Sequence, residues 1–414
     1  ILVASGAACG ASGDGTAVGN GTDAATSAGA GAASEAPAAA IDPDCRPLET
    51  REPNAAGQKP TFVGQTRACE AASGVALEVQ VLADGLERPW AVEPLPDGSG
   101  FLVTERPGRM RFVSAAGELG EPIAGLPAVD ARGQGGLLDV ALSPSFASDR
   151  TIYWSYAEPR DGGNGTAVAR GVLSDDRRRV GEVQVIFRAQ PTFDGTAHFG
   201  SRLAFDADGL LYVTTGDRSV ASMREHAQRL DSHMGKVLRL RPDGSAPPDN
   251  PFAGRADALP EIFSLGHRNT QSAAFDGQGR LWIVEHGTQG GDELNLVAAG
   301  GNYGWPQVAF GEEYSGRSLP ATATTQQGFE DPVYYWDPVI APSGAQFYDG
   351  DAFAGWRGNL FVGALKERRL VRLVIDGDRV VGEEHLLVDR RKRVRDVRQG
   401  PDGALYVVTD ETNG

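Results

Sequence analysis

Short runs of apolar and β-branched residues recur along this chain, each entered through a Gly/Asp/Asn turn and closed by a polar cluster. The clearest copies are residues 205–217, 275–285 and 401–410, with looser copies at 96–105 and 356–364 and a sixth unit at 140–155. A turn-plus-strand unit repeated at intervals of tens of residues signals radial or solenoid architecture. Six such units, each expanded to four strands, predict an all-β fold, a six-bladed β-propeller. Amphipathic helix patterns are scarce, with one short candidate at 221–230. Propellers gather their inter-strand loops at the ends of a central channel, so the polar clusters that close the repeats are read together.

The 414 residues fit one large domain of this kind, and glycine is abundant, as an all-β reading expects. A formal net charge of −16 argues against nucleic acid or anionic membranes as partners and for a soluble surface. Residues 10–44 are dominated by Ala, Gly, Ser and Thr, a composition that cannot bury a core and reads as a linker. The segment before it, residues 1–9, is apolar and ends in small residues and Cys9. It resembles the end of a bacterial export signal of the lipoprotein type, which predicts a periplasmic protein with possible lipid anchoring through Cys9 and gives residues 1–9 a targeting role, not a place in the fold. In an exported protein, Cys45 and Cys69 are expected to pair, closing a loop in the extension at 45–75 and contributing roughly 3 kcal/mol. The propeller is expected over 76–414.

Candidate chemistry sits at the strand ends. His198 stands just before the strand of the third repeat, and Asp217 closes that strand, where a carboxylate could hold an imidazole in one tautomer. A lone histidine serves equally as a structural hydrogen-bonder. Gln134 lies in a glycine-rich turn before the second repeat, Arg268 and Asn269 before the fourth, Lys366 after the fifth strand, and Arg393 and Arg395 before the sixth. The alternation of an extended strand puts those two arginines on one side. Each cation alone reads as solvated surface. Recurring at one phase of successive repeats in an acidic protein, they would form a pocket for a small polyanion. The stretch from Glu285 to Glu293 and the one from Gly300 to Pro306 combine glycine turns with carboxylates, so they read either as a tight-turn loop or as oxygen ligands for calcium. No zinc-type His/Cys spacing is present.

Taken together, Gly133-Gln-Gly-Gly-Leu-Leu, Leu265-Gly-His-Arg-Asn, Glu285-His-Gly-x-x-Gly-Gly-Asp-Glu-Leu-Asn, Asn302-Tyr-Gly-Trp-Pro, Gly363-Ala-Leu-Lys and Arg393-Val-Arg-Asp-Val-Arg resemble, in this order, the soluble aldose sugar dehydrogenases that use pyrroloquinoline quinone (PQQ), relatives of soluble glucose dehydrogenase. The resemblance spans about 76–414. It implies oxidation of an aldose sugar at C1 to the lactone, with His198 as general base and hydride passing to C5 of the quinone. Asp217 then orients the histidine, and Arg268 counts with both the catalytic and the cofactor residues. Gln134, Asn269, Lys366, Arg393 and Arg395 match cofactor contacts, with Tyr314 and the Ala364-Leu365 backbone as weaker matches. The carbonyls of Gly287 and Thr288 match the ligands of a catalytic calcium, Thr288 standing where the family has proline. Glu293 and the Tyr303 carbonyl match a second, structural calcium.

The same resemblance leaves the electron acceptor unnamed and puts sugar preference in loops at 309–332 and 158–164. The family continues beyond Gly414 into a further strand that finishes the last blade. Either residues are missing from the sequence or the chain is truncated, and a truncated chain would leave an open edge there. Two other readings fit a propeller: a sugar- or protein-binding module without turnover, and a calcium-dependent hydrolase of the lactonase kind. The second should present acidic side chains to a central metal, whereas these clusters present cations.

Overall fold

The second strand of each repeat is a near-continuous apolar run, the pattern of a strand covered on both faces. In the structure, a computed structural model that describes residues 1–6, 45–316 and 328–414, the repeats resolve into six antiparallel sheets of four strands. These are the blades of the expected propeller. The six sequence repeats are its second strands: Gly100–Glu105, Thr151–Arg160, Leu211–Thr215, Leu281–Glu285, Leu360–Ala364 and Leu405–Thr409. Five of the six are buried along their whole length, wedged between neighbouring blades, as the continuous apolar runs require. The innermost strands, Pro89–Pro94, Leu137–Leu142, Gly200–Phe205, Ala274–Phe275, Pro342–Phe347 and Val394–Gln399, surround the axis. The helical candidate at 221–230 is one short turn, Ala221–Arg224, followed by a tighter turn at Glu225–Gln228.

The axis is filled by charge. Arg202 is 1% exposed and sits 3.0 Å from both Asp139 and Asp396, with its guanidinium 4.2 Å above the Trp90 ring. Below it Arg398 reaches Asp396 at 2.9 Å and Glu93 at 3.5 Å. Leu203 and Val92 donate their backbone N–H groups to Asp139 and Asp396, so the carboxylates tie the first strands of different blades together. Buried charges cost several kcal/mol each unless paired and hydrogen-bonded, and here each guanidinium has both.

The closing blade corrects the sequence reading. Leu2–Gly6 is not a segment outside the fold: it is the third strand of that blade, with Leu2 opposite both Val407 and Val81. The edge of Leu405–Thr409 that a truncated chain would leave open is therefore paired. An open edge presents a row of unmet N–H and C=O groups, and an apolar extended segment satisfies them. Ile1 and Ala4 are buried there, and Ile1 packs with Phe101, Tyr406 and Val408 of the adjacent core. Leu77–Val81 completes the sheet. Cys9 and the linker at 10–44 lie outside the described residues.

The extension is closed as expected, with Cys45 bonded to Cys69 at a Cα separation of 5.2 Å. It lies across blades 4 and 5: Tyr335 donates its N–H to the Gln65 carbonyl, and Glu383 donates to the Cys69 carbonyl. The segment at 158–164, read as a specificity loop, is instead the tip of a long hairpin in which Arg160 pairs with Gly163.

Burial raises the Glu93 carboxyl to about 7, opposed by Arg398 and reinforced by Asp139 and Asp396. Between the ordinary glutamate pKa and 7 the folded state holds a proton that the unfolded chain has released, so this group's contribution to stability falls as pH rises through that window. Glu93→Gln should flatten the loss of stability from pH 5 to pH 7.5 in chemical denaturation. A slope identical to wild type would contradict the assignment.

Candidate active site

In an antiparallel pair the start of the first strand and the end of the second lie at the same end of the sheet. Gln134, His198, Asp217, Arg268, Asn269, Gly287, Thr288, Lys366, Arg393 and Arg395 stand at those two places, so five of the six blades deliver them to one rim. Two adjoining chambers open there, of about 230 and 370 Å³, which share Gln134, His286 and Ala341 on their walls. The inner one is walled by Arg106, Asn269, Leu365, Arg393 and Arg395, and the outer one by His198, Arg268, Gly287, Thr288, Tyr314 and Lys366.

His198 and Asp217 form a dyad. His198 Nδ1 lies 2.6 Å from Asp217 Oδ1, and both side chains are buried. Asp217 also accepts the Trp305 indole N–H on Oδ2 at 2.8 Å and the Ser219 backbone N–H on Oδ1 at 2.7 Å. Burial alone would raise the Asp217 carboxyl, but the bond to His198, the charges of His198 and Arg268 and the Ser219 N–H together hold it below the usual range. A carboxylate so fixed keeps the proton of neutral imidazole on Nδ1 and leaves Nε2 as the acceptor. Burial also lowers the His198 pKa; the hydrogen bond to Asp217 opposes this and Arg268 adds to it. The backbone of His198 is left-handed, with φ 51°, a conformation uncommon outside glycine. Gln134 steadies it by accepting the His198 N–H at 2.8 Å and donating its own N–H to Thr196 at 2.7 Å.

The inner chamber is cationic. Arg393 and Arg395 converge as the alternation predicted, both reaching Asp410 Oδ2, at 3.0 and 3.2 Å. Arg393 also donates to the Leu365 carbonyl, and Arg395 to the Gln271 side chain. Burial would raise Asp410, but Arg395, Arg393 and Arg106 bring it down to about 2. One carboxylate thus organises three guanidiniums and leaves a net positive wall. The Nε atoms of Arg395 and Arg268 are buried without a hydrogen-bond partner among the described residues, donors left unspent by the protein. Lys366, exposed at the outer chamber, has no ion pair among the described residues.

The other predicted residues divide. Asn269 accepts from the Gly200 N–H at 3.3 Å and belongs to the inner wall. Tyr314, 69% exposed, stands at the mouth. Ala364 lies fully buried within its strand and lines neither chamber, whereas Leu365 does. Gly287 and Thr288 form part of the outer wall, with Asp292 behind them accepting the Gly287 N–H at 2.8 Å. Burial raises the Asp292 carboxyl to about 6 against three backbone N–H donors. Glu293 and Tyr303 line neither chamber. Glu293 shares the Asn295 amide with Glu285, and burial and Glu285 push its carboxyl up.

Sequence reasoning missed Trp305, Asp410 and His286. Trp305 comes from a loop 88 residues beyond Asp217, and Asp410 closes the last repeat as Asp217 closes the third. That shared position was the available signal for Asp410. His286 lies at the junction of the chambers with Nε2 2.7 Å from the Pro342 carbonyl, and burial lowers its pKa to about 3, keeping the ring neutral.

Because Asp217 raises the His198 pKa against burial, Asp217→Asn should drop that pKa further, read from the ring resonances of the ligand-free protein in an NMR pH titration. An unchanged or higher value would contradict the dyad.

Residues 86–414 match the model of the glucose/sorbosone dehydrogenase family. The chain is 45% identical over 346 residues to the aldose sugar dehydrogenase YliI of Escherichia coli, covering 83% of this chain and 92% of that one. It is 28% identical to quinoprotein glucose dehydrogenase B of Acinetobacter calcoaceticus, covering 80% and 85%. Among solved structures, the apo aldose sugar dehydrogenase of Escherichia coli superposes with a TM-score of 0.78 at 45% identity over 81% of this chain and 96% of that one. The PQQ-bound aldose sugar dehydrogenase of Streptomyces coelicolor superposes with a TM-score of 0.68 at 31% identity over 80% and 91%. The chain belongs to the glucose/sorbosone dehydrogenase family, and it is an oxidoreductase built on a six-bladed propeller.

Proposed function

We propose that this protein oxidises aldose sugars at C1 to the lactone, with PQQ in the adjoining chambers and a calcium ion at the carbonyls of Gly287 and Thr288. The observation that carries the reading is the meeting, at one rim, of an oriented imidazole with adjoining cationic chambers in which the Nε donors of Arg395 and Arg268 lack partners among the described residues. The residues fit a tricarboxylate: Arg393 and Arg395 present forked donors, Lys366 a point charge, and Gln134 and Asn269 amides. They also fit a hard cation, since Gly287 and Thr288 on this wall carry no ligating group but oxygen and the Asp292 carboxylate accepts the Gly287 N–H beside them. Thr288 keeps the carbonyl that proline supplies in the family. When bound, PQQ supplies the two-electron acceptor for the C1 hydrogen, and calcium the Lewis acid beside it.

The chain's own residues handle the proton. A sugar in the outer chamber would donate its C1 hydroxyl hydrogen to His198 Nε2, and the imidazolium that forms is stabilised by Asp217 at 2.6 Å. Trp305 and Ser219 keep that carboxylate ionised and aimed. The lowered pKa of His198 keeps the ring unprotonated, ready to act as base, at neutral pH. Names of relatives support the substrate class, among them aldose sugar dehydrogenase and glucose dehydrogenase. The Cys45–Cys69 bond supports an oxidising compartment outside the cytoplasm as the place of work.

A positioned base contributes about 10²–10⁴ in rate. His198→Gln should therefore lose glucose-dependent dye reduction by that factor while still taking up PQQ with calcium. Retained turnover would remove His198 from the chemistry.

A further inference from the structure

The outer chamber has one wall that does not come from the propeller. Asn54, in the loop closed by Cys45 and Cys69, lines it together with His198, Lys366 and Tyr314. The family match begins at residue 86, so this wall lies ahead of the shared region. The loop is firmly seated. Asp337 accepts the backbone N–H groups of Asn54 at 2.5 Å and Ala55 at 3.1 Å, and Gln58 donates to the Gly311 carbonyl at 3.1 Å. Gly290 makes room for it: a Cβ there would meet Ala55 Cβ at 2.9 Å and Asp337 Cγ at 3.0 Å, at a backbone φ of 83°.

The Asn54 side chain is oriented by what it accepts. Val339 donates its N–H to Asn54 Oδ1 at 3.1 Å, which assigns the oxygen inward and leaves the amide NH₂ without a hydrogen-bond partner among the described residues. An exposed amide donor, fixed by its own oxygen at the rim of a chamber that holds the base, suits a neutral hydroxyl better than a carboxylate, which the cations deeper in already match.

We propose that the disulfide-closed extension forms part of the sugar-binding wall and that Asn54 donates a hydrogen bond to a sugar hydroxyl away from C1. It is a specificity-determining residue and takes no part in the proton transfer. The inference rests on reading the outer chamber as the sugar site.

The test compares wild type with Asn54→Asp, which keeps the oxygen that Val339 needs and removes the donor, and with Asn54→Ala, which adds no charge. Each is loaded with PQQ and calcium, assayed with glucose and maltose by dye reduction, titrated with PQQ by absorbance, and melted. Loss of one neutral hydrogen bond predicts a sugar KM raised about three- to tenfold in both variants, with kcat within about twofold and PQQ uptake unchanged. Unchanged KM in both variants would overturn the proposal. Weakened PQQ uptake would overturn it too, by moving Asn54 to the cofactor. A wild-type protein that takes up PQQ and oxidises no aldose would defeat the functional reading, and this inference with it, a result distinct from silent variants of an active enzyme.

Discussion

The antiparallel pairing of the first and second strands in every blade is the constraint on which the site depends. It fixes the entry to the innermost strand and the exit from its neighbour at one end of each sheet, and the ring then turns those ends toward a common axis. His198 and Asp217 are an entry and an exit of the same blade, with Leu203 paired to Val213 between them. Arg393, Arg395 and Asp410 repeat the arrangement in the last blade. The dyad and the cationic cluster are thus one device used twice, with an imidazole in one place and guanidiniums in the other.

Charge is handled by location. The chain carries a net −16, yet the rim chamber is lined by arginines and the axis beneath it is plugged by Arg202 and Arg398 against Asp139 and Asp396. The two layers touch: Arg202 donates to the Gln271 carbonyl at 2.7 Å, and Arg395 donates to the Gln271 side chain at 3.2 Å. The lower layer pairs its carboxylates with guanidiniums and supports the fold. In the upper layer a single carboxylate, Asp410, serves three guanidiniums and leaves donors over, which is what a pocket for an anionic guest requires.

The blades were legible in the sequence because a strand covered on both faces must be apolar throughout, and a Gly/Asp turn must precede it. The dyad and the paired arginines were legible for a related reason, since they stand at the same phase of the repeat. Trp305 was not, because a loop brings it to Asp217 from another blade and no periodicity places it. The strand at Leu2–Gly6 was hidden by its composition: a short apolar run ahead of small residues reads as an export signal, and only the unmet edge of Leu405–Thr409 gives it a partner. The hairpin tip at 158–164 was hidden by glycine, which marks tight turns and long loops alike.

The central claim is that the basic groups at the rim hold one anionic cofactor. An absorbance titration of the apo protein with PQQ in the presence of calcium tests it most directly, alongside an Arg393→Met/Arg395→Met double variant. The account predicts saturable uptake of one equivalent by wild type and a shift of at least tenfold to weaker binding in the variant. Absence of saturation in wild type, or equal affinity in the variant, would contradict it.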